Sequence, residues 1–333
     1  MTTTELAATS DATTPHPGRT VTSGLAIALV SAGSFGLSGP LARSLLDLGW
    51  TPAAVVAIRI TGAFALLVIP CALSLRRTGL PSMRQSGRLL LYGMVAVAGA
   101  QLCYFSAVQR LSVGVALLLE YLAPVLLILW TWASSRRRPA VSVFVGALLS
   151  LLGLAFVLDL PSVLKSRGGA TLDPVGVLWG LGAALCLCCY FVLSQSSGDG
   201  APIPPLLLTT VGLGVGGLVI VGLGAVGVLP LAARTGSTAL AGASIPWWLP
   251  VLLLVTVSAV FAYLTGIIAV RRLGTSVASF VSLSEVLFAV VFAIVLLDQQ
   301  PTGTQLVGGV LVLAGIAVVQ RGSARPRGRS VQD

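Results

Sequence analysis

Long apolar runs, many of them without an acidic or basic side chain, constrain this chain more than anything else. "SVFVGALLSLLGLAFVL" at Ser142–Leu158 is typical. In hydrocarbon every backbone N–H and C=O must be satisfied within the protein, so only helices and closed barrels span it. The runs are continuously apolar and lack the period-2 alternation of a barrel strand. About 20 apolar residues in a helix cross the hydrocarbon core. On that ruler ten spans are expected, near 23–45, 53–75, 87–108, 113–133, 141–159, 174–195, 205–228, 247–269, 275–297 and 303–320. The expected fold class is an all-α polytopic membrane protein with ten transmembrane helices. Composition agrees: 56% of the 333 residues are hydrophobic and 9% charged, with a mean hydropathy of +0.99. A soluble domain carries about 25% charged residues.

The formal net charge of +10 does not point to nucleic acid. No aromatic-interleaved basic patch or zinc-finger spacing accompanies it, and basic side chains collect in cytoplasmic loops of membrane proteins. With the N-terminus inside, the cytoplasmic segments hold Arg19, Arg76, Arg77, Arg84, Arg88, Arg136, Arg137, Arg138, Arg271, Arg272, Arg321, Arg325, Arg327 and Arg329. The outside receives only Arg110, Lys165, Arg167 and Arg234. The bias places both termini in the cytoplasm of a cell-membrane protein.

Sliding the chain by 162 residues pairs Arg110 with Arg272, Leu111 with Leu273, Val115 with Val277 and Ala116 with Ala278. The same shift pairs Pro139 with Pro301, Gly146 with Gly308 and Gly153 with Gly315. Five spans per half is an odd number, so the second half enters the membrane from the opposite side. Charge exchanges accordingly: "SSRRRP" at Ser134–Pro139 faces the cytoplasm, while its counterpart "LLDQQP" at Leu296–Pro301 has no arginine. This is the pattern of an inverted duplication. The expected organisation is a disordered cytoplasmic tail over 1–22, a first repeat over 23–160, an external linker over 161–173, a second repeat over 174–320 and a basic cytoplasmic tail over 321–333.

Certain residues also carry a resemblance. "GVALLLEYLAPVLL" followed by P…G…G in the first half, and "SVASFVSLSEVLFAVVFAIVLLDQQPTGTQLVGGVLVLAGI" in the second, resemble the EamA family of the drug/metabolite transporter superfamily. Glu285, Asp298, Pro301, Gln305, Gly308, Gly309 and Gly315 fall on its recurrent E…LGE…P…Q…GG…G pattern, Asp298 standing where glutamate is usual. The first-half stretches "SFGLSGPLARSLLDLGWTPAAVVAIRI" and "YFSAVQRLSVGVALLLEYLAPVL" resemble the threonine/homoserine exporter branch. The resemblance covers roughly residues 23–320 and implies two inverted five-helix repeats and export of a small polar metabolite.

Charges inside spans cost about 2.5–3.5 kcal/mol each on insertion scales, so Arg43, Arg59, Glu120 and Glu285 call for reasons. Arg59 and Glu120 both lie roughly 10 Å below the outer surface at about 1.5 Å per residue. That depth suggests an ion pair, which would either lock two helices or bind substrate charge. Glu285 lies roughly 15 Å deep, near the midplane. Ala123 is its repeat counterpart, so it is a candidate for proton coupling or for binding a substrate ammonium, with a plain interhelical hydrogen bond as the structural alternative. Span 1 contains Gly33, Gly36, Gly39 and Pro40. Together these read as a helix break exposing backbone to substrate, although the matching part of span 6 has neither Gly nor Pro. Ser34, Ser38 and Gln101 are polar lining candidates, and Arg43 is spaced to pair with Asp47. Tyr104, Tyr121, Trp130, Trp179, Tyr190 and Tyr263 either line a cavity or anchor and pack helices, and Trp247 and Trp248 read as an interfacial belt.

Other signals fall away. The five cysteines, "CLCC" included, sit in apolar runs without histidine and read as packing residues. "GLGVGG" at Gly212–Gly217 has no preceding strand or downstream acidic residue, so it reads as close helix packing. There is no G-x-S-x-G, H-E-x-x-H or P-loop, and His16 is the only histidine, so neither an enzyme nor an ATP-driven pump is expected. The reading is a secondary transporter without cofactor or metal, partnered by a polar small molecule, a proton or ion gradient and the bilayer. Drug efflux, metabolite or nucleotide-sugar uptake, and a non-transporting scaffold are its rivals.

Overall fold

The structure is a computed structural model describing residues 17–78, 83–123, 126, 141–157, 173–194, 203–273, 281 and 284–324. Helices α1 (Pro17–Gly36) and α2 (Ser38–Asp47) occupy the first expected span, and α3 (Pro52–Thr78) the second. The third holds α4 (Met83–Leu91), a π-helical stretch at Tyr92–Gly99 and α5 (Ala100–Arg110); the fourth begins with α6 (Val113–Glu120). Then come α7 (Val141–Val157), α8 (Pro174–Ser194) and α9 (Pro205–Ala225). A hairpin of β1 (Ser237–Leu240) and β2 (Ala243–Pro246) leads into α10 (Trp248–Val255), a second π-helical stretch at Thr256–Phe261 and α11 (Ala262–Leu273). The described chain closes with α12 (Ser284–Leu297) and α13 (Gly303–Ala324). Among the described residues five helical segments are long and apolar enough to cross a membrane: Ser23–Asp47, Pro52–Leu75, Gln85–Arg110, Leu206–Ala225 and Trp248–Gly266. Shorter apolar helices cover parts of four of the five remaining expected spans, those at 141–159, 174–195, 275–297 and 303–320. The "SSRRRP" turn, Trp130, most of the 161–173 linker and most of both tails lie outside the described residues.

Local chemistry sets the ends of the elements. Asp173 caps α8, its Oδ1 accepting from the N–H of Val175 at 2.8 Å. Thr302 and Gln305 form a capping box for α13: the Gln305 N–H donates to Thr302 Oγ1 at 3.2 Å and the Thr302 N–H to Gln305 Oε1 at 3.1 Å. Asp298 ends α12 with φ +54°, a left-handed conformation that Asp accepts better than most side chains.

The structure corrects the all-α expectation in one place. The segment joining α9 to α10 folds as an antiparallel hairpin turning at Ala241-Gly242, both with positive φ. It is stapled to neighbouring elements: Thr238 Oγ1 donates to Ser44 O at 2.6 Å, Ala241 N to Leu296 O at 2.8 Å, and Trp50 Nε1 to Arg234 O at 2.8 Å. Trp247 packs on Trp50, ring centroids 5.8 Å apart, whereas Trp248 is 52% exposed, as an interfacial anchor would be.

Contacts between the halves repeat under the 162-residue shift. A Cβ on Gly153 of α7 would meet Val312 N at 2.6 Å and Gly308 O at 2.7 Å of α13. A Cβ on Gly315 would meet Ser150 N at 2.6 Å and Gly146 O at 2.5 Å. Exchanging each residue for its counterpart turns one contact into the other, the reciprocity of a two-fold relation. Partner numbers fall as residue numbers rise, so α7 and α13 run antiparallel. The π stretches also correspond, Thr256–Phe261 shifting onto 94–99 within Tyr92–Gly99. Each half lends a helix to the other. Helix α1 packs on α11 and α12, while α8 packs on α5 and α6.

Candidate functional site

Arg59, on α3, projects into the seam between the halves and is only 5% exposed. Its Nη1 donates to Gln101 Oε1 at 3.2 Å and its Nη2 to the carbonyl of Ser258 at 3.0 Å. Its guanidinium carbon stands 5.6 Å from the centroid of the Phe105 ring, in cation–π range. Ser258 lies inside the second π stretch. Passing between i→i−4 and i→i−5 pairing leaves a helix short of regular partners for its carbonyls, and such bulges concentrate at functional sites. The expected Arg59–Glu120 ion pair is therefore replaced: Gln101 and the Ser258 carbonyl take the hydrogen bonds. Glu120 and Glu285 nevertheless both lie within electrostatic range of the guanidinium, as do Tyr104 and Tyr263.

Glu285 lies in the first turn of α12, and its Oε2 accepts from the Tyr121 hydroxyl at 2.8 Å. The Glu285 carboxyl is thus held by a phenol from the opposite half. Helix α6 stops at Glu120, and Tyr121 and Leu122 form a turn. Pro124 explains the stop, since it has no N–H to offer the Glu120 carbonyl. The bend delivers Glu120 and Tyr121 to the seam together.

The break expected in span 1 is slight. Hydrogen bonds carry across Leu37, from Leu37 N to Gly33 O at 3.3 Å and from Leu41 N to Leu37 O at 3.1 Å. Pro40 removes only the bond to Gly36 O, and the glycines serve close approach instead of unwinding. A Cβ on Gly36 would lie 2.9 Å from Phe288 Cβ and 3.2 Å from Glu285 O, and one on Gly39 would lie 2.6 Å from Tyr104 Oη. Gly36 and Gly39 therefore press α1 and α2 against the residues that form the site.

Several other candidates are placed clearly. Gln101, Tyr104 and Ser38 are buried in or beside the seam. The Ser38 and Ser258 hydroxyls and Arg59 Nε are buried with no hydrogen-bond partner among the described residues. Arg43 is not brought to the cluster. Its Nε bonds Asp47 Oδ1 at 2.9 Å and its Nη1 donates to Val108 O at 2.7 Å, tying α2 to the end of α5. Ser34 bonds back to Val30 O at 2.8 Å. Tyr263 sits edge-on to Phe35 at 5.1 Å and Tyr190 packs on Tyr92 at 5.8 Å, while Trp179 is 37% exposed. Sequence reasoning missed Ser258. Its only signal was a serine in the apolar run "LLLVTVSAVF".

Away from the cluster, Arg110 Nη1 meets Asp173 Oδ2 at 2.9 Å, joining the end of α5 to the start of α8. Arg272, the counterpart of Arg110, donates to Ser23 Oγ at 3.0 Å at the start of the apolar part of α1. The hydrogen bond from Arg110, and after it the N–H groups of Val175 and Gly176, hold the Asp173 carboxyl below its ordinary value.

The profile of the EamA-like transporter family matches residues 22–159 and again residues 174–321. Among curated proteins, the threonine/homoserine exporter RhtA of Escherichia coli K12 is 29% identical over 302 residues, covering 90% of each chain. RhtA of Salmonella typhimurium SL1344 is 28% identical over 298 residues, 89% of this chain and 90% of the relative. The uncharacterized inner membrane transporter YicL of S. typhimurium LT2 is 23% identical over 241 residues, 71% of this chain and 74% of its own. A solved structure described only as "Crystal structure of protein" shares the fold with a TM-score of 0.57 at 22% identity, covering 89% of this chain and 95% of that one.

Proposed function

The chain belongs to the EamA-like transporter family, and from that premise we propose a secondary transporter that exports a small polar metabolite, amino acids of the threonine/homoserine kind first, driven by proton entry. Its architecture is ten membrane-spanning helices in two inverted five-helix repeats, with both termini in the cytoplasm. The reciprocal antiparallel contact of α7 with α13 supports the inversion, as do the corresponding π stretches and the family match in each half.

The observation that carries the reading is the seam cluster. Arg59 of α3 lies within electrostatic range of two carboxyls, Glu120 of α6 and Glu285 of α12, where the halves adjoin, and Arg59 Nε and the hydroxyls of Ser38 and Ser258 are buried without a hydrogen-bond partner among the described residues. Buried polar groups without partners suit a ligand with its own donors and acceptors. A site between inverted repeats is the geometry that alternating access requires. Arg59 faces the substrate's negative group, and Glu285 is the proton-exchanging carboxyl, held by Tyr121. The names of the curated relatives favour amino acids as the cargo.

The test is flux of an amino-acid panel through proteoliposomes under an imposed pH gradient. Threonine or homoserine moving faster with the gradient than without it is the expected result. Equal flux in both conditions across the panel would defeat the coupling claim.

A further inference from the structure

Cys103 of α5 and Cys186 of α8 meet across the same seam, and the transport chemistry above uses neither. Helices α5 and α8 pack directly on one another there. Cys103 Sγ lies 3.2 Å from where a Cβ on Gly182 would stand, and Cys186 Sγ 3.1 Å from where one on Gly99 would stand. Each sulfur fills space that a glycine of the opposite helix leaves open.

The pairing of 103 with 182 and of 99 with 186 makes α5 and α8 antiparallel and sets the two cysteines on neighbouring turns. A Cα–Cβ bond tilts toward its own helix N-terminus, so in this antiparallel pair the two sulfurs lean toward each other. Four residues of offset correspond to about 6 Å of rise. A disulfide wants Cα atoms about 4.4–6.8 Å apart, so the offset favours a bridging atom over a direct S–S bond. Both cysteines are partly exposed, so a small neutral lipophilic reagent reaches them.

We propose that Cys103 and Cys186 form a dithiol site for a thiophilic bridging ligand of the trivalent arsenical class, and that bridging it fastens α5 to α8 and arrests transport. The arrest rests on the transport reading given above; the site itself does not. The chemistry is a condensation. Both S–H bonds and the As=O bond break, two As–S bonds form, and the oxygen leaves with both protons as water. Arsenic stays trivalent, and no oxidant takes part. Helix α8 comes from the second half and packs on α5 and α6 of the first, so the bridge fixes a helix of one repeat to a helix of the other, and the arrest follows where alternating access slides α8 along α5.

The probe is phenylarsine oxide applied to the full chain in proteoliposomes, with free thiols counted after unfolding and amino-acid flux measured in parallel. In the wild type, the Cys103 and Cys186 thiols should disappear, survive washing with a monothiol and return with 2,3-dimercaptopropanol. Flux should be lost and restored in step. C103A and C186A should each keep all their remaining thiols and their flux, while C189A should respond like the wild type. Thiol loss that persists in C103A would assign the reaction to Cys186 and Cys189, three apart on α8, and overturn the site. An unreacted wild type would overturn it equally. Bridging that leaves flux intact overturns the arrest. If no form carries amino acids, the transport reading fails while the thiol count still decides the site.

Discussion

Arg59 divides its guanidinium between the Gln101 amide oxygen of the first half and the Ser258 carbonyl of the second. Lysine would keep the charge, but a single ammonium lacks the planar fork that reaches both acceptors. Loss of one hydrogen bond to a charged group is worth about 1.5–3 kcal/mol, so initial export rates of R59K should fall about tenfold or more. Protein amount and gel-filtration profile should match the wild type in the same preparations. Glu285 calls for a different experiment. E285Q keeps an oxygen to accept from Tyr121 but cannot exchange a proton. Substrate counterflow should therefore survive while gradient-driven flux disappears, and gradient-driven flux in E285Q would remove Glu285 from the coupling role. The cost of charge in hydrocarbon is what made Arg59, Glu120 and Glu285 legible in the sequence. Their partners were hidden, because depth along a helix says nothing about which neighbour presents a carbonyl. Ser258 became an acceptor for Arg59 within a π stretch that no residue pattern announces. Arg43, equally visible as a charge, proved to be a tether between helix ends.

At the scale of elements, the spacing of Gly146, Gly153, Gly308 and Gly315 was visible as repetition, but its use was not. In the structure these glycines let α7 and α13 touch backbone to backbone. A methyl at Gly153 or Gly315 meets main-chain atoms of the partner helix 2.5–2.7 Å away, and such atoms cannot swing aside. Overpacking costs about 1–3 kcal/mol. G153A and G315A should each lower the melting temperature in detergent, by similar amounts because the contact is reciprocal. G222A, with nothing within 4 Å of the new methyl, should shift stability by no more than about 0.5 kcal/mol. The α5–α8 junction adds a pH test. Asp173 is held below its ordinary value of 3.8, chiefly by the hydrogen bond from Arg110. A depressed folded-state value contributes stability above the unfolded value and loses it as pH falls through the folded one. Wild type and D173N should thus differ in melting temperature at neutral pH and converge only when pH drops below the ordinary carboxylate range. Convergence already near pH 6 would remove Asp173 from the junction. Helix breaks were the weakest part of the sequence reading at this scale. Gly36, Gly39 and Pro40 advertised an opening in span 1, yet the bonds run on across Leu37 and the glycines serve packing.

For the whole molecule, hydropathy made the helical, multi-pass membrane class legible because lipid imposes apolar length globally, while the arginine bias supplies only the proposed sidedness. The β-hairpin at Ser237–Pro246 escaped because it lies outside that constraint, where only Ala241-Gly242 hinted at a turn. What the antiparallel packing of α7 on α13 adds is a physical reason to expect opposite sidedness for the turns that precede them. A helix and its repeat counterpart that run in opposite directions must begin on opposite faces of the membrane. The turn before α7 carries Arg136, Arg137 and Arg138, and the turn before α13 carries Asp298, Gln299 and Gln300. Gln300 is exposed, its amide bonding Asp298 Oδ1 at 3.3 Å, so cysteine is tolerable there. In a background freed of the five native cysteines, Q300C should react with a membrane-impermeant maleimide added to intact cells. S135C should react only after the membrane is opened. Labelling of both positions from the same side would make the two halves parallel. The seam would then lose its two-fold relation, and Arg59 and Glu285 could not be presented alternately to the two faces of the membrane by rocking one half against the other.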